Sequence, residues 1–235
     1  MKNPTSEKKD HYEVVKNYFN KDATEYEKYY DGKDIHEIQH GLRRRNDWRT
    51  YTSVLDDLLA KDSRIAGAID VGCGIGNFLL ELVRKKQFTT IVGIDFVKET
   101  MKIAHEKKQY FGTVDFMQGD LLNIPFKDRS FDLTICLNVL HHVHQEDFPR
   151  AVDELTRITP KYLMIEIRNR NNYLEFFYQK ILLPQRYKNL PQITISIPEL
   201  HQLLQRQRFA LERVKGKLPY TRMCRRVVCV YKRID

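Results

Sequence analysis

Residues 69–78 read IDVGCGIGNF. An apolar, β-branched run ends in an aspartate, glycines follow at positions 72, 74 and 76, and a helical pattern, NFLLELVRKK, starts at once. A strand that turns through glycine into a helix lets a ligand approach the backbone closely at the helix start. Such turns also use glycine for structure alone, so two further details carry the reading. The dinucleotide pattern GxGxxG requires a third glycine at 77, where this chain has Asn77, and there is no GK[ST] for a phosphate loop. Asp70, at the end of the strand, repels a pyrophosphate but attracts an ammonium group. Together these features select a cationic, phosphate-free ligand with an amino-acid end.

Outward from this loop, apolar runs alternate with helical patterns: AGAIDV, NFLLELVRKK, TTIVGID, KETMKIAHEKK, TVDFMQ, FDLTICLNV, FPRAVDELTRI and YLMIEI. That alternation builds βαβ units and a parallel sheet covered on both faces. A helix over 197–206 precedes FALERVKG and CRRVVCVYKR, two strands joined through Gly216 and Pro219 and predicted as an antiparallel edge hairpin. The expected fold is α/β: a doubly wound, mostly parallel seven-stranded sheet. Upstream, Val15, Phe19, Ala23, Tyr26 and Tyr30 form a tyrosine-rich helical stripe, and Asp47 reads as the N-cap of a second helix carrying Trp48, Tyr51, Leu55, Leu58 and Leu59. Residues 1–60 are therefore predicted as a helical appendage and 61–235 as the ligand-binding domain, with an insertion over 171–196 that mixes Tyr173, Phe176, Phe177 and Tyr178 with Pro184 and Pro191.

The next two strands add acidic companions. Asp95 ends the second, nineteen residues after Gly76, close to the spacing at which an acidic residue accepts hydrogen bonds from ribose hydroxyls. Gly119-Asp120 ends the third and places another carboxylate on the same edge, within reach of an exocyclic amine. A single aspartate here reads as a helix cap. Three at the ends of consecutive strands, beside a glycine loop, read as a site.

With IDVGCGIGNF, VGID, GDLLNIPF, SFDLTICLNVLHHV and the N-terminal YFNKDATEYEKYY, the chain resembles the class I S-adenosylmethionine-dependent methyltransferases, in particular the ubiquinone and menaquinone biosynthesis branch, roughly over residues 15–167. The resemblance implies a Rossmann-like methyltransferase fold with S-adenosyl-L-methionine as cofactor. It implies that Gly72, Gly74 and Gly76 approach the methionine part, that Asp95 holds the ribose, that Asp120 with Leu121 reads the adenine, and that Asn138 lines the cofactor. It also implies an arginine among 43–45, assigned to Arg44, facing the cofactor's carboxylate.

Other signals point elsewhere. His36-Glu37-Ile38-Gln39-His40 satisfies HExxH, but Gly41 and three arginines follow and the GxxH continuation is missing, so no metal is expected there. The catechol-type relatives carry acidic metal ligands where this chain has Asn138, Arg168 and Asn169. His141, His142 and His144 sit at the end of the fourth strand, where doubly wound folds bind ligands. His142 is the candidate general base; the alternative is a histidine that orients loop backbone. Asp132, in a Phe-Asp pair at a strand entrance, is assigned to structure.

The chain has 235 residues, is 42% hydrophobic and carries a net charge of +9. This length suits one core rather than two. The apolar runs fall short of the roughly 18 residues that span a bilayer, and no apolar signal segment opens the sequence, so a soluble, cytoplasmic protein is expected. Four cysteines without a CxxC pair are expected as reduced thiols. From 198 to 235, ten Lys/Arg face Glu199, Glu212 and Asp235, a local +7 that suits a solvated face or a polyanion. The expected partner is a small-molecule acceptor, aromatic or lipophilic and anionic. Two alternatives are a nucleic-acid methyltransferase, which lacks here its [DN]PP[YF] or Pro-Cys motif, and a noncatalytic cofactor-binding subunit. Oligomeric state is not legible.

Overall fold

The computed structural model describes residues 4–30, 37–110, 112–172, 190–216 and 224–234, the side chains of 4–5, 22, 24–30, 37–47 and 110 excepted. Helices α1 (Pro4–Tyr30) and α2 (Glu37–Lys61) precede β1 (Gly67–Val71). The alternation then runs α3 (Leu79–Lys85), β2 (Thr90–Asp95), α4 (Lys98–Glu106), β3 (Val114–Gln118), β4 (Leu133–Cys136), α5 (Phe148–Arg157) and β5 (Tyr162–Arg168). It closes with α6 (Ile197–Arg206), β6 (Phe209–Gly216) and β7 (Arg226–Arg233).

The sheet order is β3-β2-β1-β4-β5-β7-β6. The first five strands pair in parallel, and β7 runs antiparallel to both β5 and β6. The doubly wound sheet with its antiparallel hairpin is thus the fold read from the sequence. Because helices cover both faces, the inner strands are apolar on both sides. All seven residues of β5 are buried. On one face Tyr51 and Leu55 of α2 pack with Leu79, Leu82 and Met101; on the other, Val152 and Leu155 of α5 pack with Leu200 and Leu204 of α6. Ser196 starts α6 with a reciprocal cap: its hydroxyl accepts from Glu199 N, and the Glu199 carboxylate accepts from Ser196 N. Such a cap contributes about 1 kcal/mol.

Asp132 has the structural role assigned to it. Its Oδ2 accepts from Ala66 N at 2.9 Å and Gly67 N at 3.3 Å, while Lys161 Nζ lies 3.0 Å from Oδ1, which ties the entrances of β1, β4 and β5 together. The helix starts require correction. α2 runs Glu37–Lys61, so Asp47 lies within it and not at its start. The segment before Asp47 holds no proline, and one interior glycine, Gly41, costs only about 1 kcal/mol against alanine, too little to stop a helix that continues into a packed stripe. α1 likewise starts at Pro4, since proline is tolerated in a first turn. The turn through Pro219 and most of the 171–196 insertion, including the aromatics at 173–178, lie outside the described residues. All four cysteines are free and buried. Among the described residues no helix is long and apolar enough to cross a membrane.

Candidate active site

The loop after β1 is held from beneath. Gly72 N and Cys73 N both donate to Ile94 O of β2, at 2.7 and 3.0 Å. Gly72 has φ +81°, and a Cβ there would strike the Val139 side chain, so glycine lets the turn after β4 close onto the loop. Gly74 has φ +55°, and nothing lies within 4 Å of where its Cβ would sit, which leaves space above the backbone for a ligand.

Two carboxylates stand under that space. Asp95 Oδ2 accepts from Gly74 N and its Oδ1 from Val97 N, both at 2.8 Å, so it joins the glycine loop to the start of α4. Burial raises its pKa against the pull of these hydrogen bonds. The Thr100 hydroxyl and the Phe96 amide add to that pull. Asp70 is 3% exposed. Burial, and then the Asp95 charge, push its pKa up to about 8, and among the described residues no cation offsets them. A buried carboxylate pair of this kind favours a cationic ligand group.

The other strand ends complete the edge. Gly119 N donates to Asp95 O at 3.0 Å, which brings Asp120 beside Asp95. Asp120 is exposed, and its Oδ1 accepts from Leu122 N at 2.9 Å. The Leu121 side chain is buried with Ile94 and Ile124. Asn138, exposed and at φ +62°, follows β4 and donates from Nδ2 to Tyr51 Oη at 3.2 Å. Tyr51 in turn donates to Glu166 of β5. Residue 36 and the side chains of 37–40, which make up the HExxH stretch, lie outside the described set, as does the Arg44 side chain. Among the described residues no group of three or more His, Cys, Asp or Glu could hold a metal ion.

His142 follows in a short 3-10 turn. Its Nδ1 lies 3.4 Å from Pro191 O, and an Nδ1–H donating there leaves the Nε2 lone pair available. Burial, and then the Arg168 charge, lower its pKa to about 3, so the ring is neutral near pH 7. A neutral imidazole accepts a hydrogen bond well but takes a proton weakly, which narrows the general-base reading. His141 is 3% exposed, and burial keeps it neutral as well.

α1 lies across this edge. Lys8 Nζ is 3.0 Å from Asp147 Oδ1, Tyr12 Oη donates to Asp147 Oδ2 at 2.8 Å, and His11 Nε2 lies 2.8 Å from His142 O. Phe19 meets the His142 ring edge-on at 5.2 Å, and Ala23 packs on Ile75 and Ile103. The helix thus runs from the turn after β4 to the glycine loop and α4. The sequence marked its stripe as apolar and missed its polar latch of Lys8, His11 and Tyr12. Periodicity places Tyr51 on the stripe of the second helix without showing its hydroxyl's partner, while Glu166, an acid inside an apolar strand, is itself a signal in the sequence.

Residues 69–161 match the family model described as "Methyltransferase domain". A demethylmenaquinone methyltransferase of Roseiflexus sp. (strain RS-1) is 30% identical over 187 residues, covering 72% of this chain and 75% of the relative. This chain belongs to the class I S-adenosylmethionine-dependent methyltransferases. A 2-phytyl-1,4-naphtoquinone methyltransferase of Nostoc punctiforme shares 36% identity with this methyltransferase over 95 residues, 39% of this chain and 40% of that one. The fold matches the magnesium protoporphyrin IX methyltransferase of Synechocystis PCC 6803, solved with S-adenosylhomocysteine, at a TM-score of 0.75 and 21% identity, over 95% of this chain and 100% of the other. The methyltransferase uses S-adenosyl-L-methionine as methyl donor, and the buried acidic pair beside the open Gly74 backbone fits that sulfonium amino acid.

If Asp70 pairs with the cofactor's ammonium group, its pKa of about 8 sets a pH dependence: the carboxyl must ionise on binding, so binding expels a proton. Affinity for S-adenosylhomocysteine should therefore rise with pH, by up to about tenfold per unit, and level off above about 8. The stability contribution runs the other way: present in full below the ordinary carboxyl value, lost as pH rises through 8. Calorimetric titrations at pH 6, 7 and 8 in buffers of differing ionisation heat check both the slope and the released proton; affinity that is flat across this range removes Asp70 from the ammonium site.

Proposed function

We propose that this methyltransferase methylates a planar, lipophilic small molecule bearing an anionic group, of the quinol type, held between α1 and the carboxyl ends of β4 and β5. The observation that carries the reading is the placement of α1 across the sheet edge, with Tyr12 and Phe19 against the His142–Asp147 turn. Aromatic walls suit a flat apolar body, and the Arg168 charge felt by His142 makes this end of the site favourable to an anionic group. The names of the Roseiflexus and Nostoc relatives support a quinone-like acceptor.

The cofactor, when bound, supplies an activated methyl group for in-line displacement. What remains for the protein is to place the nucleophile and exclude water. In the proposed assignment Asp70, Gly72, Gly74, Gly76, Asp95, Asp120, Leu121, Asn138 and Arg44 bind the cofactor. His142 accepts a hydrogen bond from the acceptor hydroxyl through Nε2 and orients it, with α1 as a lid and 61–235 as the catalytic domain. The reading includes a cytoplasmic location and no metal.

The basic C-terminal third does not favour a nucleic-acid substrate. Arg213 pairs with Asp57 at 2.5 Å, and Arg233 is bonded to Thr156 and Thr159 carbonyls, so part of this charge serves the fold. Isotope-labelled cofactor, incubated with the protein and either demethylated quinols or total RNA, tests the reading. Label should enter the solvent-extractable quinol pool and persist in EDTA. Label confined to RNA, or activity lost to EDTA and restored by magnesium or zinc, would overturn it.

A further inference from the structure

Beyond the cofactor assignment lies a hydrogen-bonded chain that crosses three elements. The Arg226 guanidinium of β7 lies 3.8 Å from Glu166 Oε1, in the middle of the sheet where Glu166 is 0% exposed. Glu166 Oε2 accepts from Tyr51 Oη, and Tyr51 Oη accepts from Asn138 Nδ2 at 3.2 Å. The direction of each bond follows from the first. A carboxylate beside a guanidinium has no proton to give, so the tyrosine hydroxyl must donate to it, and toward Asn138 that oxygen then offers only lone pairs. The amide must present its NH2 to Tyr51, which turns Oδ1 away from α2. Asn138 is exposed, and its neighbour Val139 packs on Gly72, so the amide belongs to the same edge as the glycine loop.

We infer that Glu166 and Tyr51 are positioning residues that fix the amide of Asn138 with its carbonyl oxygen facing the cofactor's ammonium group. The inference rests on the proposed place of Asn138 in the cofactor site. Its physical content is polarity: one buried charge sets the donor-to-acceptor order of two bonds, and the site receives an acceptor where an unfixed amide would offer acceptor and donor equally. Buried networks of this kind act as units, so removing any member should be felt at Asn138. Tyr51 also meets Phe78 edge-on with ring centroids 6.2 Å apart, a contact that phenylalanine would keep.

The test is calorimetric titration of full-length variants with S-adenosylhomocysteine, alongside their melting temperatures. Tyr51→Phe should bind roughly threefold to tenfold more weakly, as expected for one lost orienting hydrogen bond of about 1 kcal/mol. Asn138→Ala should lose at least as much, and the two losses should not multiply. The order of donors supplies a sharper arm. Asn138→Asp sets a carboxylate against the lone pairs of Tyr51 and should bind poorly. With Glu166→Gln as well, the glutamine NH2 can donate to Tyr51 and Tyr51 can donate to the new carboxylate, which reverses the chain. The double variant should then bind at least about fivefold more tightly than the product of the single losses implies, a coupling that loss of packing does not produce. Multiplicative losses, or Tyr51→Phe binding like the parent while Asn138→Ala is weakened, would overturn the relay and leave the cofactor site standing. Asn138→Ala binding like the parent would overturn the site assignment and the relay with it. Should Glu166→Gln fail to fold, Tyr51→Phe decides alone.

Discussion

Deletion of residues 1–30 is expected to abolish turnover while the sheet still folds and the cofactor still binds, more weakly. The expectation rests on where α1 makes its bonds. Lys8 and Tyr12 both engage Asp147, His11 meets the carbonyl of His142, and Phe19 lies on the His142 ring, so the deletion strips one whole side of the proposed acceptor space. Water enters, the acceptor loses its aromatic wall, and the effective concentration provided by a closed site disappears; such positioning is worth several powers of ten in rate. The core loses little, because Val15 and Ala23 are the buried apolar residues that α1 contributes among those described. Thermal melting, cofactor titration and a methyl-transfer assay on the same truncated protein separate the three effects. Full activity on the native acceptor would end the lid reading. Loss of the cooperative melt would instead make α1 part of the fold.

Replacement of Asp95 by alanine is expected to weaken cofactor binding by more than about tenfold, or roughly 1.4 kcal/mol, and to lower stability as well. The two losses have separate origins. In the proposed assignment the ribose hydroxyls lose their acceptor in a partly desolvated site; in the protein itself the amides of Gly74 and Val97 lose theirs at 2.8 Å each. A buried donor left unpaired costs about 1–3 kcal/mol. Asparagine does not repair this, since its NH2 would face one of the two N–H groups. Unchanged affinity in a folded Asp95→Ala protein would remove Asp95 from the site and leave it a purely structural clasp.

Much of this architecture was legible because the inner strands are short apolar runs bounded by turn residues, and because each of the first three carries its aspartate at the same end. Spacing alone placed Asp70, Asp95 and Asp120 on one edge, where the structure also has them. What spacing could not convey is that Asp95 is already bonded to the loop it faces. It could not show either that Tyr51 and Glu166, 115 positions apart, meet. Periodicity reports which side of a helix is buried, and Tyr51 is indeed buried. It does not report that the buried side carries a hydroxyl aimed at a carboxylate. Asp47 misled for a local reason: a cap residue competes with helix only where the preceding turn is weak, and here the segment from Glu37 onward continues the helix.

The position of β7 bears on how the chain reaches this state. It is the last strand in chain order, yet it lies between β5 and β6. Until it arrives, the edge of β5 stays open, and β6 has no place in the sheet. The β6–β7 pair can close early as a local hairpin, but it must then dock as a unit along seven residues of β5, from Tyr162 opposite Lys232 to Arg168 opposite Arg226. That docking joins segments far apart in the chain and is the slow kind of contact to form. A chain on which β7 has yet to dock therefore carries a five-stranded parallel sheet, a sticky apolar flank at β5, and an active-site relay missing its arginine anchor.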